Sequence, residues 1–243
     1  MKLSVCIPMY NESKVIAKSA AELSEYCSKN FEDYEILFIN DGSTDNCADI
    51  VKELALPNCR VTGYEKNRGK GCAVRTGMLE ATGDVRIFTD ADLAYGTAVI
   101  GEAVKRFEEH PDADLVIGSR SLAGDSYAEY TFIRKVASKT FLALLQLIGG
   151  FRLSDSQAGF KCFTAKATER IFSLCETDRF AFDFEALCYA TRFKMKIVEM
   201  PVKIINHGES KVNLMGDSIK MLRDILKIKK RVNKKLAELN KNA

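Results

Sequence analysis

Asp90 and Asp92 stand two residues apart, directly after the apolar run 85–88. Two carboxylates at that spacing in a turn can both reach one divalent cation. Hard oxygen ligands of this kind suit Mg2+ or Mn2+, which keep open positions for phosphate oxygens. The same pair would also serve as a helix cap or a solvated turn. Upstream, the string NDGSTD at 40–45 puts Asp41 where a carboxylate can accept from a base or ribose donor. Asp, Ser and Thr equally build Asx turns and caps. An EF-hand is excluded, because its glycine and closing glutamate would fall on Asn46 and Lys52. Residues 66–71, KNRGKG, join basic side chains and two glycines at the start of a helical pattern. Such a loop suits phosphate binding by charge and by exposed backbone N–H groups. No Ser or Thr follows Lys70, so it is not a Walker A loop.

Positioning these residues requires strands that end beside one another. Short β-branched runs at 3–7, 35–39, 61–64, 85–89 and 115–118 alternate with helical patterns at 14–26, 46–54, 71–81 and 98–108. This alternation predicts an α/β fold with a mostly parallel, Rossmann-like sheet flanked by helices. Ligands of such sheets bind beyond the carboxyl ends of the strands, where the polar clusters fall. After Arg120 the regularity breaks. A long helix is expected at 128–148, a strand at 160–163, helices at 165–172 and 183–191, strands at 196–200 and 202–205, and a final helix at 217–239. We read this half as an elaboration on the sheet. Residues 1–212 form the expected main domain and 213–243 a basic C-terminal helix or tail.

The 243 residues are 47% hydrophobic and 28% charged, enough for one large domain and too apolar for wholesale disorder. Two histidines, His110 and His207, leave little room for a His-rich zinc site. Eight cysteines lack any C-x-x-C pair and lie mostly in apolar stretches, the pattern of reduced, buried thiols. The N-terminus turns polar too soon for a signal peptide, and the apolar run 141–151 is too short and interrupted to cross a bilayer. Net charge is +3, but residues 217–243 alone carry +6. A basic tail on a mildly acidic body points to a local anionic surface and away from nucleic acid.

Eight motifs in order carry a family resemblance: PMYNE at 8–12, NDGS at 40–43, NRGKG at 67–71, DADL at 90–93, GSR at 118–120, DSQAGFK at 155–161, RFAFDFE at 179–185 and GESKVN at 208–213. Together they resemble the family 2 glycosyltransferases of the GT-A fold, and within them the polyprenyl-phosphate sugar synthases. The dolichyl-phosphate glucose synthase branch is the nearer likeness and the mannose synthases are cousins. The resemblance implies that Pro8, Tyr10 and Glu12 border a nucleotide, with Asp41 on its base. It implies a metal on Asp90 and Asp92 beside the Ala91 backbone, and Arg120, Arg134 and Lys211 facing donor or acceptor phosphates; Lys70 joins them from the basic loop. Mannose-synthase relatives often carry Gln two residues after the second Asp; Ala94 stands here, which fits the glucose branch. Processive relatives carry a Q-x-x-R-W signature, which a chain without Trp lacks.

The implied chemistry is coherent. Cleaving the bond from a sugar's anomeric carbon to a nucleoside diphosphate leaves a multiply charged diphosphate, which a divalent cation and Arg or Lys offset as it forms. A lipid phosphate has a second pKa of about 6 and is already largely ionised at neutral pH, so a strong base is not obligatory. Asp155 is read as an acceptor-orienting group or weak base, or equally as a loop cap. Asp183 and Glu185 are possible sugar or acceptor contacts. In-line displacement inverts the anomeric centre. The expected reaction moves glucose from UDP-glucose to polyprenyl phosphate on the cytoplasmic face of the membrane. The helix at 128–148 and the basic run 227–235 would rest on anionic lipid. GDP-mannose as donor, a saccharide acceptor, a non-catalytic nucleotide-sugar-binding module and a membrane-spanning partner stay open as alternatives.

Overall fold

The computed structural model describes residues 1–124, 132–206 and 217–241. Among these residues, seven strands form one sheet: β1 (Leu3–Met9), β2 (Tyr34–Asp41), β3 (Cys59–Tyr64), β4 (Val85–Phe88), β5 (Leu115–Ser119), β6 (Lys161–Thr164) and β7 (Ile197–Pro201). Their order is β3-β2-β1-β4-β6-β5-β7. All neighbours run parallel except β6, which lies antiparallel between β4 and β5.

Both faces of the sheet are covered at its centre, so β1 and β5 are buried along their whole length. Successive side chains alternate between the faces. In β2, Ile36 and Phe38 enter one core while Leu37 and Ile39 enter the other. The first core is closed by α1 (Ile16–Asn30), α2 (Cys47–Glu53) and α4 (Ala98–Glu109). The second is closed by α3 (Lys70–Glu80), α5 (Phe132–Gly149), α6 (Ala165–Phe172), α7 (Phe182–Arg192) and α8 (Asp217–Lys241). All eight cysteines are free thiols, seven of them buried. Burial pushes Cys27 and Cys188 up to about 12.

Three sequence expectations change. Residues 160–163 were expected to elaborate the sheet; β6 instead lies inside it and joins its two halves. Residues 202–205 form no strand. They cross the strand ends as a strap, with Val202 N–H donating to the Ser119 carbonyl and Ile205 N–H to that of Ala94. The basic run 227–235 is not all surface. Ile225, Ile228 and Val232 of α8 are buried, and Arg231 donates to the fully buried Glu185 at 2.7 and 3.0 Å. Lys235 pairs with Glu176 and donates to the Leu174 carbonyl. Glu185, read as a sugar or acceptor contact, therefore anchors α8. Arg223, Lys227, Lys230, Lys234 and Lys241 remain exposed, at spacings that align them along one face of the helix. Among the described residues no helix is long and apolar enough to cross a membrane.

Candidate active site

The carboxyl ends of β1 and β2 are stitched together by their own motif residues. Asn11, in the left-handed region at φ 55°, donates its N–H to Ser43 Oγ and accepts from Thr44 N–H through Oδ1. Ser13 N–H donates to Asp45 Oδ2 at 2.9 Å. Pro8 is buried at the end of β1, Tyr10 is exposed, and Glu12 lies half-buried beside it. Asn11 is the residue that fixes this turn, and Asn tolerates the left-handed conformation better than most. It lies inside a motif that sequence reasoning singled out, without a role assigned to it.

Asp41 is 3% exposed, and its carboxylate is engaged by the loop that opens α3. It accepts from Asn67 Nδ2 at 2.9 Å, Arg68 N–H at 2.9 Å and Gly69 N–H at 3.0 Å. Asp41, which the resemblance assigns to a nucleotide base, is engaged here by this loop. Gly42 makes the approach possible, with φ +64° and the Asn67 N only 2.4 Å from where a Cβ would sit. Asp41 thus sets the position from which Lys70, the first residue of α3, projects.

Lys70 Nζ meets Asp90 Oδ1. Burial opposes the charge on Lys70, but the adjacent Asp90 carboxylate wins and raises the ammonium's pKa. The other oxygen of Asp90 faces Gly159, where a Cβ would come within 2.3 Å of Oδ2. Ala91 is buried, and Asp92 Oδ1 accepts from Ala94 N–H at 3.1 Å. Leu93 is buried in the left-handed region at φ 48°, and Asn206 of the strap donates to the Asp92 and Leu93 carbonyls. Burial, then the like charge of Asp90, raises the pKa of Asp92. Behind this turn lies the buried pair Lys161–Asp183, at 2.8 Å, with Lys161 also donating to the Ala158 carbonyl. Gly159 and Lys161 stand in the DSQAGFK motif, but nothing in their sequence spacing shows that they pack behind Asp90.

On the other side of the turn, Arg120 follows β5 and donates to Asp155 from Nε at 2.7 Å and Nη2 at 3.1 Å. Gln157 N–H also donates to Asp155. Burial would raise the Asp155 pKa, but the guanidinium outweighs it and holds the carboxyl below its ordinary value. This is a fixed anion orienting Arg120, ill suited to take a proton near neutrality. Arg134 falls on α5 with its side chain outside the described residues, and Lys211 lies outside them altogether.

The donor set fits a hard divalent cation that takes most of its ligands from elsewhere. Asp90 and Asp92 offer two carboxylates, Lys70 already places a cation on one of them, and no group of three His, Cys, Asp or Glu that could hold a metal occurs among the described residues. Mg2+ and Mn2+ bound through one or two carboxylates plus substrate phosphates meet this description.

A carboxylate pair at the switch of a mostly parallel sheet, flanked by basic residues, is the arrangement of a nucleotide-sugar transferase. Residues 4–172 match glycosyl transferase family 2, and the chain belongs to that family. It is a glycosyltransferase. It is 36% identical over 233 residues to a dolichyl-phosphate beta-glucosyltransferase of Trichomonas vaginalis, covering 91% of this chain and 69% of that one. The enzyme of that name from Saccharomyces cerevisiae is 32% identical over 93% of this chain and 74% of its own, and the Homo sapiens one 30% identical over 95% and 75%. The fold is that of glucosyl-3-phosphoglycerate synthase from Mycobacterium tuberculosis, crystallised with Mn2+, UDP and phosphoglyceric acid: TM-score 0.70, 17% identity, covering 94% of this chain and 78% of that one.

Proposed function

We propose that this protein transfers glucose from UDP-glucose to polyprenyl phosphate with inversion, giving a β-linked lipid-phosphate sugar. The observation that carries this reading is the Asp90–Asp92 turn held between Lys70 and the Arg120–Asp155 pair, in a chain 30–36% identical to dolichyl-phosphate beta-glucosyltransferases.

Tyr10 and Glu12 line the nucleotide end, and the loop held by Asp41 brings Lys70 to the diphosphate. Asp90 and Asp92 would hold Mg2+ or Mn2+, which when bound offsets the charge that develops on the leaving diphosphate. Arg120, fixed by Asp155, would face the acceptor phosphate; the resemblance assigns Arg134 and Lys211 to the same phosphates. The acceptor is ionised at neutral pH, so no described residue has to remove a proton. The strap beside the Asp92 turn carries Ile204 and Ile205, exposed by 43% and 62%, where the first isoprene units would lie. The exposed face Arg223, Lys227, Lys230, Lys234 and Lys241 of α8 would rest on the anionic cytoplasmic surface of the membrane.

The test is a solvent-partition assay with purified protein, polyprenyl phosphate and Mn2+. Labelled UDP-glucose and GDP-mannose are offered separately, each with an EDTA control. Label entering the organic phase from UDP-glucose alone, and blocked by EDTA, is the expected result. Transfer from GDP-mannose instead would replace the donor, and transfer only to a saccharide would overturn the acceptor.

A further inference from the structure

We propose that Lys70 is an internal cation that competes with the divalent metal for Asp90 and is drawn off by the nucleotide diphosphate, so that metal and nucleotide each bind more tightly in the other's presence. This inference rests on the reading of Asp90 and Asp92 as the metal pair.

Four observations carry it. First, the Lys70 ammonium contacts Asp90 Oδ1, one of the oxygens a metal would use. Second, Asp90 has little freedom to present a different oxygen, since Oδ2 lies against Gly159. Third, Lys70 is anchored at the first turn of α3 by the Asp41 loop, while its flexible four-carbon stem lets the ammonium move. Fourth, the described residues offer no third carboxylate, Cys or His to complete a metal site.

Charge bookkeeping gives the consequence. Asp90 and Asp92 together present two negative charges, and Lys161 neutralises Asp183 behind them. With Lys70 on Asp90, an arriving cation meets one net charge and must also displace an ammonium. A diphosphate changes both conditions. It offers the ammonium an equivalent oxyanion, and it supplies the ligands the protein lacks. Lys70 then exchanges one anionic partner for another, and Asp90 Oδ1 is left to the metal without a competitor. Linkage requires the effect to be reciprocal: the factor by which UDP tightens metal binding equals the factor by which the metal tightens UDP.

A merely structural Lys70, closing the site as an ion pair, predicts something different. Its loss would leave Asp90 less ordered and weaken metal binding whether or not nucleotide is present.

The experiment measures Mn2+ binding by the loss of the free-ion electron paramagnetic resonance signal, with and without saturating UDP. The proteins are the full chain, Lys70→Met and Lys70→Arg, each checked for an unchanged circular dichroism spectrum. The unaltered protein should bind Mn2+ at least about tenfold more tightly with UDP, within the usual range of coupling between sites. Lys70→Met should bind Mn2+ alone several-fold more tightly than the unaltered protein, with the UDP effect reduced by the same factor and the remainder coming from the metal's direct bonds to the diphosphate. Lys70→Arg, whose forked guanidinium grips a carboxylate harder, should bind Mn2+ alone more weakly. Should Lys70→Met not fold, the direction of the Lys70→Arg change decides. Mn2+ binding by Lys70→Met that is no tighter, or an unchanged UDP effect, would overturn the inference while leaving the metal pair intact. Absence of Mn2+ binding to the unaltered protein even with UDP would overturn both.

Discussion

Gly159 owes its identity to Asp90. A methyl group there would sit 2.3 Å from Asp90 Oδ2, and the cheapest relief is rotation of the carboxylate. Gly159→Ala should therefore cost little stability yet lower metal-dependent turnover at least tenfold, as thermal melts and the transfer assay would read. Asp155 is the converse case. Its pKa is depressed on folding, so the unfolded chain takes up this proton first as pH falls. The Arg120 pair contributes its full stability above about pH 4, the ordinary aspartate value, and loses it as pH drops through the lower folded value. Asp155→Asn should lower turnover and destabilise by about 2 kcal/mol, since Arg120 is only partly buried. The pH profile of the remaining activity between 6 and 8 should be unmoved; a lost basic limb in that range would make Asp155 the base after all. At this scale the carboxylates were legible in the sequence because their types and strand-end spacing are. Their partners were not: that Asp41 faces Gly69, Asp90 Gly159 and Asp155 Arg120 depends on contacts that no periodicity encodes.

Among the elements, α8 shows how one helix serves two purposes. Its inner face buries Ile225, Ile228 and Val232 and seats Arg231 on Glu185, which also accepts the N–H groups of Glu176 and Thr177. Arg231→Met would strand a buried carboxylate and should cost about 3 kcal/mol in denaturant unfolding. Its outer face carries the exposed Arg223, Lys227, Lys230, Lys234 and Lys241. Replacing Lys227, Lys230 and Lys234 together by Ala should leave that unfolding free energy nearly unchanged. Binding to phosphatidylserine vesicles should weaken by about 3 kcal/mol, at about 1 kcal/mol per basic residue near the surface. Equal vesicle binding would remove this face from the membrane. The helix itself was readable from its period, but the division of its basic residues into seated and exposed depended on the position of Glu185. The placing of β6 was likewise hidden. Its four residues carry no sign of their neighbours, and only the pairing Val85–Thr164 and Leu115–Phe163 inserts it between β4 and β5.

Across the whole molecule, β6 divides the sheet into a parallel half, β3-β2-β1-β4, and a second half, β5 with β7. The first half supplies the nucleotide-end residues and the Asp90–Asp92 turn from its strand ends. The second supplies Arg120, and the strap that follows β7 reaches back to Ala94 and Asp92. The proposed reaction centre lies where the two meet, so its donor and acceptor groups would come from the two halves of one sheet. The alternating pattern of the first half made this architecture legible early. The second half required the fold, because its site residues lie on loops whose ends are set by long-range pairing. The central claim is that the Asp90–Asp92 turn carries hexosyl transfer onto a lipid phosphate. Its most direct test compares the folded Asp92→Ala variant with the unaltered protein in the solvent-partition assay, using UDP-glucose, polyprenyl phosphate and Mn2+. Transfer by the unaltered protein and at least about a hundredfold loss in the variant, of the size seen when a charge-stabilising group is removed, is the predicted result. Full metal-dependent transfer by Asp92→Ala would contradict it.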